Sequence, residues 1–394
     1  MRIALGHSSN PNTEKAIEDL IASCQRELGR HPPDLGIFFT SRMETDFHAA
    51  LERILGQWPD LQLVGCSTDG EISDIIPVSE DTLTLVLIQS DHICFGTGWG
   101  EDVSKDPEAA VRQAVDSAHA ALNASANRKG TDDQPVFGIV LAEGLKIFGI
   151  DLDRSLCEAL GEEFPIVGGY AGDHFLLEYS CQFNGNRVLS DGLVIILASG
   201  PVQYSMGIGN GRRPVGNSFA VTSHEGNVVR EIDGMPILDF YDHYLGANQE
   251  EYLQFPLAVM MDDQFILRAP AFINHENASI AFCGTFPPAP RVRLTEFDHG
   301  SIIQAAERTT ISALERYPGP APDLALLFSC TSRRHILGLN TAQEHSALLQ
   351  FKANHPAFRF CGMYAYGELC PKQGQGPTLF HNDSYVVLLL GEDA

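Results

Sequence analysis

Three stretches of this chain carry nearly the same pattern: Val64-Gly-Cys-Ser-Thr-Asp-Gly-Glu71, Val167-Gly-Gly-Tyr-Ala-Gly-Asp173 and Cys361-Gly-Met-Tyr-Ala-Tyr-Gly-Glu368. An apolar strand pattern and an amphipathic helix pattern precede each one, and another apolar strand pattern follows it. One supersecondary unit therefore recurs along the chain, and the repeat is architectural rather than a chance pairing of glycines.

In the first unit, the spacing predicts strands over 2–8, 34–40, 61–66 and 82–88 and helices over 12–29 and 44–57. The helix over 12–29 carries Ala16, Ile17, Leu20, Ile21, Cys24 and Leu28 at helical spacing, and the unbroken apolar run over 82–88 is that of a strand covered on both faces. The second unit repeats the order with a strand over 93–99, a helix over 107–122, a strand over 136–141, a helix over 152–160, Gly168 and a strand over 193–199. The third is expected to run from a strand over 291–297 through helices over 301–317 and 342–353 and strands over 323–329, 358–362 and 385–390. Between units two and three lies a strand-rich, Gly/Pro-punctuated insertion over about 201–290. Its helix over 236–245 is introduced by Asp233-Gly-Met-Pro236, and the stretch from Asp233 to Leu245 is the expected moving or partner-facing piece.

The chain has 394 residues, more than the roughly 250–300 that one hydrophobic core organises, so two domains are expected. The boundary is placed near Gly211-Arg-Arg-Pro214. Residues 1–212 then hold two repeats, and residues 213–394 hold the insertion and the third. The expected fold is α/β, in two lobes, with mixed β-sheets built from three β-α-β-α-β-β repeats and a strand-rich insertion.

Charge removes some functions. With 26 basic against 51 acidic side chains, the formal charge of −25 opposes phosphate backbones and anionic lipid surfaces, so no nucleic-acid partner is expected. The nine cysteines form no CxxC pair and read as reduced, buried thiols. No secretory leader and no apolar run near the ~20 residues of a spanning helix is evident, so the expectation is a cytoplasmic protein without membrane insertion.

Gly65 and Gly70, like Gly362 and Gly367, flank four residues directly after a strand pattern. A phosphate-binding loop has that interval but continues Lys-Ser/Thr, whereas Glu71 and Glu368 follow here and would repel a phosphate. One reading is a tight turn whose acid pairs with backbone amides or an arginine. The other is a ligand cleft, because open α/β sheets hold ligands in loops at strand ends. Such a cleft would present Ser67, Thr68, Asp69 and Glu71 from one half and Tyr364, Tyr366 and Glu368 from the other, a set suited to a small polar molecule such as an amino acid. Arg333 and Arg334, after the strand ending Leu327-Phe-Ser-Cys-Thr331, are placed to take its carboxylate, or else pair with surface acids.

Signatures of catalysis are weak. Gly65-Cys-Ser-Thr is not G-x-S-x-G, no HExxH occurs, and Cys66 reads as packing, so no catalytic residue is assigned. The clustered hydroxyls and carboxylates leave a small-molecule hydrolase or amidase as one alternative. His243, in Phe240-Tyr-Asp-His-Tyr-Leu245, sits among aromatic residues as the axial ligand of a haem b would, with His174 and His381 as lesser candidates. No other metal site is expected.

Several of these segments together resemble the FIST family: Val64-Gly-Cys-Ser-Thr-Asp-Gly-Glu71, Glu225-Gly-Asn-Val-Val-Arg-Glu-Ile-Asp-Gly234, Arg291-Val-Arg-Leu-Thr-Glu296, Phe328-Ser-Cys-Thr-Ser-Arg-Arg334 and Tyr366-Gly-Glu368. The resemblance runs from the first strand to His381-Asn-Asp383, with an N-terminal FIST domain before a C-terminal one. It implies a sensory module for small ligands in bacterial and some eukaryotic signal transduction. It also implies, as an alternative, a haem-binding nitric-oxide sensor that controls a histidine kinase or a cyclic-dinucleotide enzyme. With no kinase or cyclase pattern in these residues, output is expected to pass to a separate signalling protein.

Overall fold

The computed structural model describes residues 1–246, 252, 254–261, 264–374 and 376–393. The architecture is α/β with mixed sheets. Three of the sheets follow one plan. The first orders Arg2–Ser8, Leu83–Gln89, Leu35–Thr40 and Gln62–Ser67; the second orders Cys94–Glu101, Gly192–Ser199, Pro135–Ala142 and Ile166–Tyr170; the third orders Val202–Gly209, Tyr385–Glu392, Leu324–Cys330 and Arg359–Ala365. In each, the last two of these strands pair in parallel and the other pairings are antiparallel.

Each sheet is completed by chain from another unit. The hairpin strands Gln182–Asn184 and Arg187–Leu189 of the second unit extend the first sheet through Gln62–Ser67. Glu368–Pro371 and Thr378–His381 of the third unit extend the second sheet through Ile166–Tyr170. Glu71–Ser73 of the first unit closes the third sheet against Arg359–Ala365. The exchange is cyclic, so no unit has a complete sheet on its own.

Two sequence expectations need correction. The first strand of the third sheet is Val202–Gly209, fixed by eight paired positions with Tyr385–Glu392, and not the strand expected over 291–297. Arg291–Glu296 instead pairs with Arg213–Glu225 and Leu257–Met261 in a fourth, separate sheet. The inserted block therefore separates the first strand of the third unit from its first helix, His299–Arg316, and begins after residue 209 rather than at 201. The second correction is that Arg333 and Arg334 lie on a short helix, Thr331–Leu337, that the pattern did not reveal.

Helices cover the outer face of each sheet because their apolar positions recur on one side. Thr13–Leu28 starts where the Asn12 side chain accepts a hydrogen bond from the Lys15 amide at 2.9 Å and ends at Gly29, and it buries Ala16, Ile17, Leu20, Cys24 and Leu28. Leu83–Gln89 is buried at every position, as a strand lying between helices and a central core requires. The inner faces of all three sheets share that core: Leu5, Val64 and Val86 of the first, Phe95, Ile139 and Val167 of the second, Leu326, Met363 and Leu388 of the third. The expected division at 212/213 thus cuts through a common core, whereas the inserted sheet packs its own core around Ile232, Phe240, Tyr241, Phe282 and Val292. Among the described residues, no helix is long and apolar enough to cross a membrane.

Candidate functional site

The three glycine stretches meet. The first glycine of each occupies one steric position, where a Cβ would lie 1.9 Å from the Phe38 carbonyl oxygen at Gly65, 1.9 Å from that of Val140 at Gly168 and 2.1 Å from that of Leu327 at Gly362. Only glycine lets the parallel neighbour approach so closely. Four places beyond each glycine, an amide donates to the carbonyl two places beyond a different glycine: Asp69 to Tyr364 at 3.0 Å, Gly172 to Ser67 at 3.1 Å and Tyr366 to Tyr170 at 3.0 Å. These three hydrogen bonds form a closed cycle among the units.

Buried acids flank this centre. Glu71 accepts hydrogen bonds from the hydroxyls of Thr68, Ser41 at 2.9 Å and Thr82, yet burial pushes its carboxyl up to about 7. Asp69 receives Arg334 Nη1 at 3.0 Å; burial raises it to about 6, and the guanidinium only partly offsets the rise. Glu368 accepts the amide and hydroxyl of Ser384 on one oxygen, has no partner for the other, and is driven up to about 8 by burial. Asp173 binds the phenol of Tyr366 at 2.5 Å and the amides of Leu177, Glu178 and Tyr179. It thereby holds a loop in which His174, Phe175 and Leu177 all adopt φ 57°, a conformation costing roughly 1–2 kcal/mol at each non-glycine residue. Strain of that kind collects at functional segments.

Beside this centre lies a cavity of about 600 Å³. Its floor comes from the strand ends of the third sheet: Cys330, Thr331 and Ser332, the Asn382 turn, and Arg212 beyond Val202–Gly209. Its walls are Phe148, Phe175 and Leu177 from the second unit and Ala269, Pro270, Ala271, Phe272, Cys283 and Phe297 from the inserted block, with Tyr366 between them. The lining is mainly aromatic and aliphatic with a few convergent polar groups, the usual composition of a small-molecule site. Arg212 is buried, pairs with Asp383, donates to the Gln254 carbonyl at 2.9 Å and stacks over Phe297 at 4.2 Å. The Thr331 hydroxyl is closed off from solvent beside Asp69, where it eases the charge on that carboxylate. A second groove, about 400 Å³ between Thr13–Leu28 and Phe47–Gln57, contains none of the motif residues.

Of the residues expected to bind a ligand, Tyr366 alone lines the cavity. Ser67, Thr68, Asp69 and Glu71 lie in the first corner, where they hold one another and the neighbouring strands. Arg333 is fully buried and consumed by Glu344, bonded at 2.8 Å, and by the carbonyls of Asn210 and Ile302. Arg334 bridges Asp69 and Glu80, and Tyr364 is buried against His345 at 3.2 Å. His243 is exposed on Ile237–Leu245 with its ring against Tyr244 at 4.7 Å, and it lines neither of the two cavities described. His174 touches Glu80 at 3.3 Å, and His381 is buried near the Cys370 carbonyl. The imidazoles that do line the cavity are His299 and His335. The sequence reading missed Arg212, Thr331, Ser332 and Asn382. Their signal was position, since each stands just past a strand end.

The FIST N domain profile matches residues 34–235 and the FIST C domain profile matches residues 238–371. An uncharacterized protein of Methanocaldococcus jannaschii is 26% identical over 239 residues; the match covers 60% of this chain and 44% of that protein, so the chain spans less than half of that relative. An uncharacterized protein of Mycobacterium tuberculosis is 23% identical over a 410-position alignment covering 95% of this chain and 96% of its own. A cyanuric acid hydrolase from A. caulinodans aligns with 100% of this chain and 99% of its own at 11% identity, with a TM-score of 0.38, an overlay too loose to bear on function.

Proposed function

The chain belongs to the FIST family of sensory, small-ligand-binding domains, and from that premise we propose that its ligand sits in the 600 Å³ cavity and that occupancy is reported to a separate signalling protein such as a histidine kinase or a cyclic-dinucleotide enzyme. The observation that carries this reading is an apolar chamber lined by Arg212 and Asn382, whose Nη2 and Nδ2 donors have no partner among the described residues. A buried polar group without a partner costs about 1–3 kcal/mol, and a ligand acceptor or donor would recover part of it.

The strained loop offers a route for the report. Phe175 stacks on His335 at 4.4 Å, and both line the cavity. Next in sequence, His174 and Arg334 are joined through Glu80 of the first unit. A ligand that displaces Phe175 would thus act on side chains from all three units. It can shift the loop only by binding one arrangement more tightly, with about 1.4 kcal/mol of difference per tenfold change in population. The exposed Phe175, Leu176 and Leu177 at 52%, 54% and 48% give a partner a surface that changes with the loop.

The two thiols lining the cavity, Cys283 and Cys330, are both pushed up by burial, which supports binding over hydrolysis. Burial, with Glu368 beside it, pushes Cys330 well above the ordinary thiol range, so it stays protonated and a poor nucleophile at neutral pH. A thermal-shift screen of metabolites against the parent and Ala271→Trp, which puts an indole into the lining of the cavity, tests the proposal. A ligand at 100 times its Kd adds about 2.7 kcal/mol to the parent. Silence across the screen, or shifts that persist in Ala271→Trp, would refute it. A haem Soret band that survives Ala271→Trp and is lost in His243→Ala would instead return the site to His243.

A further inference from the structure

Among the described residues, the lining of the cavity supplies hydrogen-bond donors and holds no carboxylate. Resting on the reading that this cavity is the ligand site, we propose that it takes a carboxylate carried on an aromatic or branched aliphatic body, and excludes the ammonium group that an amino acid would bring.

Arg212 uses Nε on Asp383 and Nη1 on the Gln254 carbonyl, which leaves Nη2 without a partner among the described residues. Asn382 is buried; its Oδ1 accepts the Ala269 amide at 3.2 Å, and its Nδ2 has no partner among the described residues. Both residues line the cavity, so it is offered two free donors. A ligand acceptor satisfies them, and a carboxylate does so with charge-assisted hydrogen bonds, which are shorter and roughly twice as strong as neutral ones.

An ammonium meets the opposite situation. Among the described residues, no Asp or Glu lines the cavity. The adjacent acid, Asp383, has one oxygen on Arg212 and the other on Ser332 at 2.5 Å. Asp69, which lies 3.8 Å from the ring of His335, is already paired with Arg334. A cation entering the chamber would lose water and find no free carboxylate among the described lining residues, a costly transfer. Glu368 does not repel the anion, because a carboxyl held up to about 8 is largely protonated at neutral pH. The aromatic walls then set the body of the ligand, with Phe148, Phe272 and Phe297 offering edge or face contacts to an arene.

The test uses four matched probes on the full chain: 3-phenylpropanoate, 3-phenylpropanamide, phenylalanine and phenethylamine, each measured by calorimetry and by thermal shift. The expected order is propanoate, then amide, with phenylalanine weaker than propanoate by ~30-fold or more and phenethylamine silent. Asn382→Asp keeps the acceptor for Ala269 while replacing a donor with an oxygen, and should weaken propanoate at least about tenfold and the amide less. Thr331→Val is the control: its hydroxyl lies beside Asp69 and is closed off from the cavity, so propanoate affinity should stay close to that of the parent. Phenylalanine or phenethylamine binding as tightly as propanoate overturns the inference, as does unchanged propanoate affinity in Asn382→Asp. A different metabolite whose shift is abolished by Ala271→Trp, with all four probes silent, overturns the ligand class and leaves the site standing. Silence of every compound removes both.

Discussion

Replacing Gly168 by Ala tests whether the three glycine corners are one structural device. A Cβ there would stand 1.9 Å from the Val140 carbonyl oxygen, and ordinary contact begins near 3.4 Å, so the strands must part by 1.5 Å. Five positions pair Pro135–Ala142 with Ile166–Tyr170, and a displacement of that size at the middle one disrupts two or three ladder bonds between buried groups. At about 1 kcal/mol for each net bond, and 1–3 kcal/mol for each buried group left unpaired, the loss is about 3–6 kcal/mol. Melting should fall by roughly 6 °C or more, taking about 2 °C per kcal/mol, the low end for chains of 150–250 residues. The assay is differential scanning calorimetry of Gly168→Ala beside Gly56→Ala. Gly56 is exposed near the end of Phe47–Gln57 with nothing within 4 Å of its added Cβ, so that change should stabilise by about 0.5–1 kcal/mol. Gly65→Ala and Gly362→Ala, which meet the same obstacle at 1.9 and 2.1 Å, should each cost within about 1 kcal/mol of Gly168→Ala. Parent-like melting of Gly168→Ala, or one tolerant member of the three, would refute the shared role.

Other outcomes follow from the buried charges. Glu368 ionises near 4.5 in the unfolded chain and near 8 when folded, so the folded state holds the extra proton between those values. Its contribution to stability is therefore lost as pH rises from about 4.5 to 8, and Glu368→Gln should flatten that part of the melting-versus-pH curve by on the order of a few kcal/mol. Arg333→Ala strands Glu344 in the interior and should destabilise by about 3–5 kcal/mol, read by thermal melting. Arg334→Ala releases Asp69 and Glu80 together; hydrogen exchange over 174–179 should rise while the central strands keep their protection. Unchanged exchange there would sever the link between that arginine and the loop.

Much of this architecture was legible because its signals are local. The alternation of apolar runs and helical spacing gave the long strands and the helices of the first two units, though not their short strands Glu71–Ser73, Gln182–Asn184 and Arg187–Leu189, and the glycine stretches marked where each turned. The failure at Val202–Gly209 has a physical cause. About ninety residues of inserted chain separate that strand from its helix, His299–Arg316, so proximity along the chain favoured Arg291–Glu296, a neighbour in sequence that belongs to the inserted sheet. The cyclic exchange of Glu71–Ser73, Gln182–Asn184 and Glu368–Pro371 was invisible for a related reason: no local pattern records which sheet edge a short strand joins. The site suffered most. Its walls come from Phe148, Phe175, Ala271 and Phe297, which are far apart in sequence, and Arg333 looked available only because its partner Glu344 is brought back by a turn of 3₁₀ helix.

The corners also explain how a repeated unit yields a single site. At the position whose amide closes the hydrogen-bonded cycle, the three units carry Asp69, Gly172 and Tyr366. Asp69 turns to Arg334 and ties the first unit to the third. Gly172 has no side chain to offer, and an added Cβ would lie 2.8 Å from the Asp69 amide nitrogen, so that corner is closed by backbone. Tyr366 alone reaches out, binding Asp173 through its phenol and presenting its ring to the cavity. The backbone cycle fixes three equivalent places, and side-chain identity then opens one of them. A ligand that moved Tyr366 would pull on Asp173, and with it on the amides that keep Phe175 and Leu177 in their strained conformation. Tyr366→Phe keeps the ring in the cavity and removes the bond to Asp173. Ligand affinity should then change little while protection over 174–179 no longer responds to ligand. Equal response in parent and variant would place the route through His335 instead.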